Sequence, residues 1–304
     1  MKTRNEMISE ETFAKEEKRL GKQIHLHDGV WWVRAAPFYY KPVHEFRPFP
    51  PKSARPHPLE ALLGYSHQVP DSAQATRCVR MNVLEGNDLS SFSLDRIRGK
   101  RRNLVRMGIK NCRIEALTQS DALLDQMRLI NISQAKKMES SGESGTFLPP
   151  EYYELHASQW REETLKLFSH QGHQFIGAFV GDTLAAYINL VMIEDTWLFG
   201  AVKSCNEYLP HRPVDALYFT ALSMASQRGE CSRVVNGGGN ERESLQHFKR
   251  EFLLTPVSVP YYSWTLLPIE WLRSLQSRIT RRRHVPSTLE EEAKEKSCAE
   301  LRES

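Results

Sequence analysis

Between His173 and Trp264 the chain changes its hydrophobic period. Gln174 to Val180, Thr183 to Ile193 and Thr196 to Val202 are apolar runs rich in β-branched and aromatic residues. Only Gly181-Asp182 and Glu194-Asp195 separate them. Gaps that short permit a tight reversal and little else, so the three runs read as an antiparallel meander. The pattern then alternates. Lys203 to Pro213 is a loop with two prolines. Leu217, Ala221, Leu222 and Ala225 lay an apolar stripe along a helix from Val214 to about Arg228, and Gly229 ends it. A short buried strand follows (Ser232 to Asn236), then a turn (Gly237-Gly238-Gly239-Asn240). A helix (Glu241 to Phe252) and a returning strand (Pro256 to Trp264) complete the segment.

The upstream half is less regular. Residues 1–28 are charged throughout and read as a solvated, partly helical arm. Gly29 to Tyr40 leans toward β structure. The proline-rich stretch that follows fixes φ and removes donors, so it is irregular and extended, held to the surface by Phe46 and Phe49. A short helix is expected over Leu59 to Leu63 and a strand over Arg77 to Leu84. Ser91 to Met107 reads as a helix capped by Ser93 and ended by Gly108, with Arg98, Arg102 and Arg106 four apart on one face. Asn111 to Leu117 is a strand. Helices follow from Asp121 to about Met138 and from Pro150 to about Phe168. A last helix starts at Pro268 and ends in Arg281-Arg282-Arg283, before a polar tail. The expected division is a charged arm (1–28), a Pro/aromatic-rich region packed on the core (29–90), the main domain (91–284) and a disordered tail (285–304).

Composition restricts the setting. The 304 residues carry a net charge of only +4, which gives no general argument for nucleic acid. The cysteines number five, are scattered and show no metal-ligand spacing, so neither a disulfide framework nor a metal site is expected. The N-terminus lacks an apolar signal core. The longest apolar run, Leu184 to Ile193, is too short to span a bilayer. A cytoplasmic location is the expectation.

Two motifs carry a family resemblance. Asn236 to Trp264 (NGGGNERESLQHFKREFLLTPVSVPYYSW) and Ser93 to Leu117 (SLDRIRGKRRNLVRMGIKNCRIEAL) flank the meander. Together they resemble the GNAT acyltransferase superfamily, and within it the Fem-type and CelD-like branch. The match spans roughly residues 90 to 265. The region before 90 is similar to a degenerate first half of a double-GNAT protein. The resemblance implies an α/β (α+β) fold with a central mixed, mainly antiparallel sheet flanked by helices. It implies acyl transfer from an activated donor, most directly acyl-CoA as co-substrate, to an amine or hydroxyl. The acceptor would be a small molecule, glycan or peptide of cell-envelope or polysaccharide metabolism. Ordinary members hold the coenzyme A pyrophosphate in a glycine loop before the donor helix. Here the equivalent segment, Lys203 to Pro213, has no glycine. An aminoacyl-tRNA donor and a catalytically inactive scaffold therefore stay open. The basic segment Arg96 to Lys110, with seven Lys/Arg and no acid, motivates the tRNA alternative.

Candidate residues follow from the same placement. Val202, Lys203, Ser204, Asn206, Arg212, Asp215 and Lys249 lie on the donor side, where cations and a helix N-terminus would meet an anion. Asn236, Gly237, Gly238, Gly239 and Asn240 permit close approach of a substrate. His247 is a candidate general base, and Tyr262 is a candidate proton donor on the closing strand. The bland alternatives are a plain strand-to-helix turn, a solvated loop, a surface histidine and a packed tyrosine.

Overall fold

The structure is a computed structural model that describes residues 7–51, 53–141, 148–238 and 243–266. The meander forms as its two-residue gaps require: β7 (His173–Val180), β8 (Thr183–Ile193) and β9 (Thr196–Ser204) pair antiparallel. Gly181 takes a positive φ of 59° in the first reversal, a conformation that costs a residue without Cβ little. β6 (Arg113–Ala116) adds to the outer side of β7.

On the inner side, β10 (Arg233–Gly238) lies parallel to β9, then β5 (Arg77–Glu85) and β11 (Thr255–Thr265) continue the sheet. β1 (Ile24–His27), β2 (Val30–Ala36), β3 (Tyr39–Pro42) and β4 (Gly64–Gln68) complete it. The result is one 11-stranded mixed sheet in the order β1-β2-β3-β4-β11-β5-β10-β9-β8-β7-β6, mostly antiparallel. β5, from the first third of the chain, sits between β10 and β11, so strands from either side of residue 90 share one sheet.

Helices cover both faces. α7 (Pro213–Gln227) packs Leu217, Ala221 and Leu222 against Leu84, Ile188, Trp197 and Val234 in the largest buried cluster. α2 (Gly86–Ser90) and α3 (Gly99–Asn111) pack on α7. On the other face α4 (Asp121–Ser140) sets Leu124, Met127 and Ile130 against Phe175 and Tyr187, with α5 (Pro150–Leu155) and α6 (Ala157–Ser169) alongside. Full burial of Trp197 alone removes on the order of 200 Å² of apolar surface from water, so a residue of this size anchors the α7 face.

Several boundaries differ from expectation for physical reasons. The helix expected from Ser91 begins only at Gly99, after a 3-10 turn at Leu94–Arg96. Gly108 does not end it; it lies inside α3 because an added Cβ there would stand 2.5 Å from the Arg212 carbonyl oxygen. The helix expected from Pro150 to Phe168 breaks at His156 into α5 and α6. Leu59 to Leu63 forms turns instead of a helix. The N-terminal arm is docked, not solvated: α1 (Glu10–Arg19) buries Phe13, Ala14 and Glu17. The helix expected from Pro268 and the tail from 285 lie outside the described residues.

Candidate active site at the fork between two parallel strands

β9 and β10 pair only over Thr196–Leu198 and Arg233–Val235. Beyond Leu198, β9 continues with β8 alone, while β10 turns toward β5, where Gly238 pairs with Met81. The two strands therefore fork. A register shift between Ile188 and Leu190 of β8 gives β9 an extra residue, a bulge around Gly200-Ala201 just inside the fork. Among the described residues no strand pairs with the β10-facing edge of β9 past Leu198. Backbone N–H groups on such an edge are available to a ligand, which is the arrangement an oxyanion needs.

Buried polar groups line the base of the fork. Lys249 of α8 (Glu243–Glu251) is 2 % exposed, and its Nζ donates to the Asn236 carbonyl oxygen at 2.8 Å. The Asn236 side-chain amide donates to the Tyr218 hydroxyl at 2.8 Å. Tyr218 projects from α7 and packs against Phe199, Phe248 and Phe252. An ammonium held in such surroundings is costly to bury and is tolerated where it meets hydrogen-bond acceptors and developing negative charge. Gly237 adopts a positive φ of 56°, so the strand bends away without a side chain at the fork.

A second network joins α3, α7 and α8. Arg101 of α3 bonds Asp215 in the first turn of α7 and donates from Nε to Glu251 of α8 at 3.0 Å. Its guanidinium also lies 4.7 Å from the Phe248 ring centroid and 5.8 Å from that of Phe252. Burial opposes the guanidinium's charge, and the hydrogen bonds to Glu251 and Asp215 more than offset it, so its pKa is raised. Arg101, Val105 and Gly108 recur at helical spacing on the face of α3 that meets α7, a signal present in the sequence but masked by the more obvious row Arg98, Arg102 and Arg106.

The structure gathers some expected residues and separates others. Val202 packs on the α7-side core and Ser204 pairs with Ala186 of β8. Lys203 lies opposite Tyr187, and burial lowers its pKa from the usual lysine range. Asn206 is committed to α4: its backbone N–H donates to Ser133 Oγ at 3.1 Å and its Nδ2 to the Ser133 carbonyl at 2.8 Å. Arg212 is exposed, in a left-handed conformation with φ 59°. At the start of α7, where an anion is expected, Pro213 at the first helical position has no N–H, the Asp215 carboxylate is paired with Arg101, and α3 packs on the Arg212 carbonyl through Gly108. His247 faces solvent, 63 % exposed, with Nε2 3.8 Å from Glu251. Tyr262 lies on β11 opposite His67, in an aromatic cluster with Tyr65. Three strand spacings, about 14 Å, separate β11 from β9. Neither residue belongs to the fork as built. Gly238 continues β10, while Gly239 and Asn240 lie outside the described residues.

One group of metal-type ligands occurs elsewhere: Glu17, His170 and His173, with ligand atoms within 4.8 Å of one another. It does not fit a metal. The Gly172 N–H donates to His170 Nδ1 at 2.9 Å, so the neutral ring carries its proton on Nε2, which faces Glu17 at 3.4 Å. Lys22 pairs with the other oxygen of Glu17. The cluster instead fastens α1 to β7, with Phe13 4.5 Å from the His170 ring.

The fold has solved counterparts. The C-terminal domain of a candidate lysylphosphatidylglycerol synthetase from Agrobacterium fabrum superposes with a TM-score of 0.56 at 12 % identity, covering 90 % of this chain and 92 % of that one. L-PGS from Bacillus licheniformis gives 0.53 at 12 % identity, covering 92 % of this chain and 100 % of that one. FemX gives 0.50 at 11 % identity over 84 % of this chain and 91 % of that one. This chain shares the fold of these three proteins. At such identities the likeness concerns the fold alone. No protein-family model matches the sequence, and no curated protein matches it. No described helix is long and apolar enough to cross a membrane.

Proposed function

We propose that this protein is a transferase that moves an acyl or aminoacyl group from an activated donor to an amine or hydroxyl acceptor at the β9/β10 fork. The observation that carries the reading is the fork itself, with its bulge and unpaired edge on β9 and Lys249 and Asn236 at its base. The acceptor's lone pair attacks the donor carbonyl carbon, and a C–N or C–O bond forms. The C–O or C–S bond to the donor breaks, its electron pair leaves with that oxygen or sulfur, and the acceptor's proton passes to the leaving atom through water. The β9 amides and the Lys249 ammonium stabilise the transient oxyanion. His247 and Tyr262 have no part in this scheme.

The start of α7 favours one donor class. With Pro213 at its first position, α7 offers a pyrophosphate one backbone donor fewer. An aminoacyl-tRNA ester fits better than acyl-CoA. One of the structural counterparts carries the name lysylphosphatidylglycerol synthetase, which agrees with aminoacyl transfer. Four exposed cations, Arg98 at the N-cap of α3 and Lys100, Arg106 and Lys110 within it, offer a surface for its phosphates. The test incubates the full chain with acetyl-CoA or with lysyl-tRNA and follows donor consumption. Lysyl-tRNA turnover is expected, reduced at least tenfold by Lys249→Met. Turnover of acetyl-CoA alone would reverse the choice of donor, and consumption of neither would leave the scaffold reading.

A further inference from the structure

Eleven large apolar side chains are exposed among the described residues, and five of them stand on three adjoining segments: Phe38, Leu59, Leu62, Trp264 and Leu266. Phe38 sits in the turn between β2 and β3. Leu59 and Leu62 stand on the turns before β4, and Trp264 and Leu266 lie at the end of β11. Backbone bonds tie the three segments together. The Leu63 N–H donates to the Phe38 carbonyl at 3.0 Å, and the Leu266 N–H donates to the Leu63 carbonyl at 3.3 Å. This corner of the sheet is separated from the β9/β10 fork by β5. Single apolar side chains on a surface need no explanation, but a gathered set marks a surface that meets something.

Phe38 supplies a second observation. Its φ is 55°, in the left-handed region that glycine or asparagine adopts readily and a bulky side chain does not. Half of its surface is exposed, so packing within the fold does not offset that cost. The charges at the corner indicate what it meets. Arg34 and Arg55 are both exposed, Arg34 opposite Tyr40 and Arg55 beside Tyr65. Glu60, the acid of the same turns, is engaged with His25, its Oε2 2.5 Å from Nδ1. The sequence directly beyond Leu266 carries Trp271, Leu272, Leu275 and Ile279 at intervals of three and four. It also carries five arginines between Arg273 and Arg283, with Glu270 the one acid from 267 to 283. A basic sequence with an apolar stripe and a tryptophan suits a lipid interface. A second copy of this corner would set arginine against arginine, and so would the arginine-rich segment laid over it. Anionic lipid complements both sets of charges.

We propose that this corner, together with residues 268–283, docks on the surface of an anionic lipid bilayer. Phe38, Leu62, Trp264 and Leu266 enter the headgroup boundary, and the arginines hold the lipid phosphates. The attachment is peripheral and reversible, since the apolar side chains reach only headgroup depth. It stands apart from the transferase reading and holds whether or not the fork is catalytic.

Flotation of the full chain with vesicles tests this without donor or acceptor. Wild type is expected to bind vesicles of equal parts phosphatidylcholine and phosphatidylserine at least about tenfold more strongly than phosphatidylcholine alone, and less strongly as salt rises. The double change Phe38→Asn, Leu62→Ser, at two exposed positions, weakens binding at least about tenfold. The triple change Arg273→Gln, Arg278→Gln, Arg281→Gln weakens it by at least about tenfold and flattens the salt dependence. The α3 change Lys100→Gln, Arg106→Gln, Lys110→Gln leaves vesicle binding unaltered. Near-UV circular dichroism checks the fold of each variant, and the arginine variant decides if the Phe38 variant misfolds. No binding by wild type, or equal binding to both kinds of vesicle, overturns the proposal. Loss of binding in the α3 variant, with the corner variants unaffected, moves the lipid contact to α3 and overturns it as well. A dimer in analytical ultracentrifugation that Phe38→Asn, Leu62→Ser disperses gives the corner to a second copy. Stronger vesicle binding in Trp271→Ser, Leu275→Ser shows that the segment covers the corner, which also overturns the proposal.

Discussion

Replacing Arg101 by methionine isolates the clamp that joins α3, α7 and α8. The side chains involved are all shielded: Arg101 is 13 % exposed, Asp215 7 % and Glu251 12 %. Removing the cation leaves two carboxylates with little water and a mutual repulsion. Breaking a buried pair from one side costs about 3–5 kcal/mol, and loss of the stacking on Phe248 and Phe252 adds about 0.5–2 kcal/mol. Urea unfolding followed by circular dichroism should thus show Arg101→Met destabilised by at least about 3 kcal/mol. The triple change Arg101→Met, Asp215→Leu, Glu251→Met removes both stranded charges along with the cation. It should recover most of the loss, because a buried ion triad is often replaceable by apolar groups at little cost. A destabilisation below about 1 kcal/mol in Arg101→Met is the cost of an exposed pair, and would mean that the network is solvated and holds nothing. A triple variant no more stable than the single one would show that packing, not charge, makes the clamp.

Acid should loosen the N-terminal helix. Burial lowers the pKa of His170 to about 4 and that of His173 to about 3, below the ordinary histidine value. The unfolded chain then binds protons that the folded chain refuses. Stability is fully present above pH about 6.5 and falls as pH drops toward 4, by about 3 kcal/mol for His170 alone. Melting curves between pH 8 and 4.5 test this, and a profile that His170→Asn does not flatten would contradict it. Gly108→Ala should destabilise by about 1–3 kcal/mol in chemical denaturation, because its Cβ would meet a backbone oxygen that cannot rotate away. A neutral result there would mean that α3 and α7 are free to move apart.

Sequence and structure divide the protein along the range of the interactions involved. The meander was legible because its cause is local: period-two apolar runs and two-residue gaps leave one short-range solution. The stripe Leu217, Ala221, Leu222 and Ala225 fixed α7 for the same reason, and the turn at Gly237 marked the end of β10's pairing with β9. The partners of Arg101 and the place of β5 were not legible. Arg101 lies 114 residues from Asp215 and 150 from Glu251. The spacing of Arg101, Val105 and Gly108 marks a shared helix face, but no window of sequence shows what that face meets. Whether β5 pairs with β10 or with its chain neighbours depends on long-range burial. The surroundings of His247 and Tyr262 were hidden by the same gap. Their chemistry could be read from residue type, but the face and the strand neighbour that decide its use are set only by tertiary packing. Sequence alone thus determined the order of elements and the missing glycine loop before α7. Tertiary structure decided where the strands part and which charges meet there, because both depend on contacts between segments far apart in the chain.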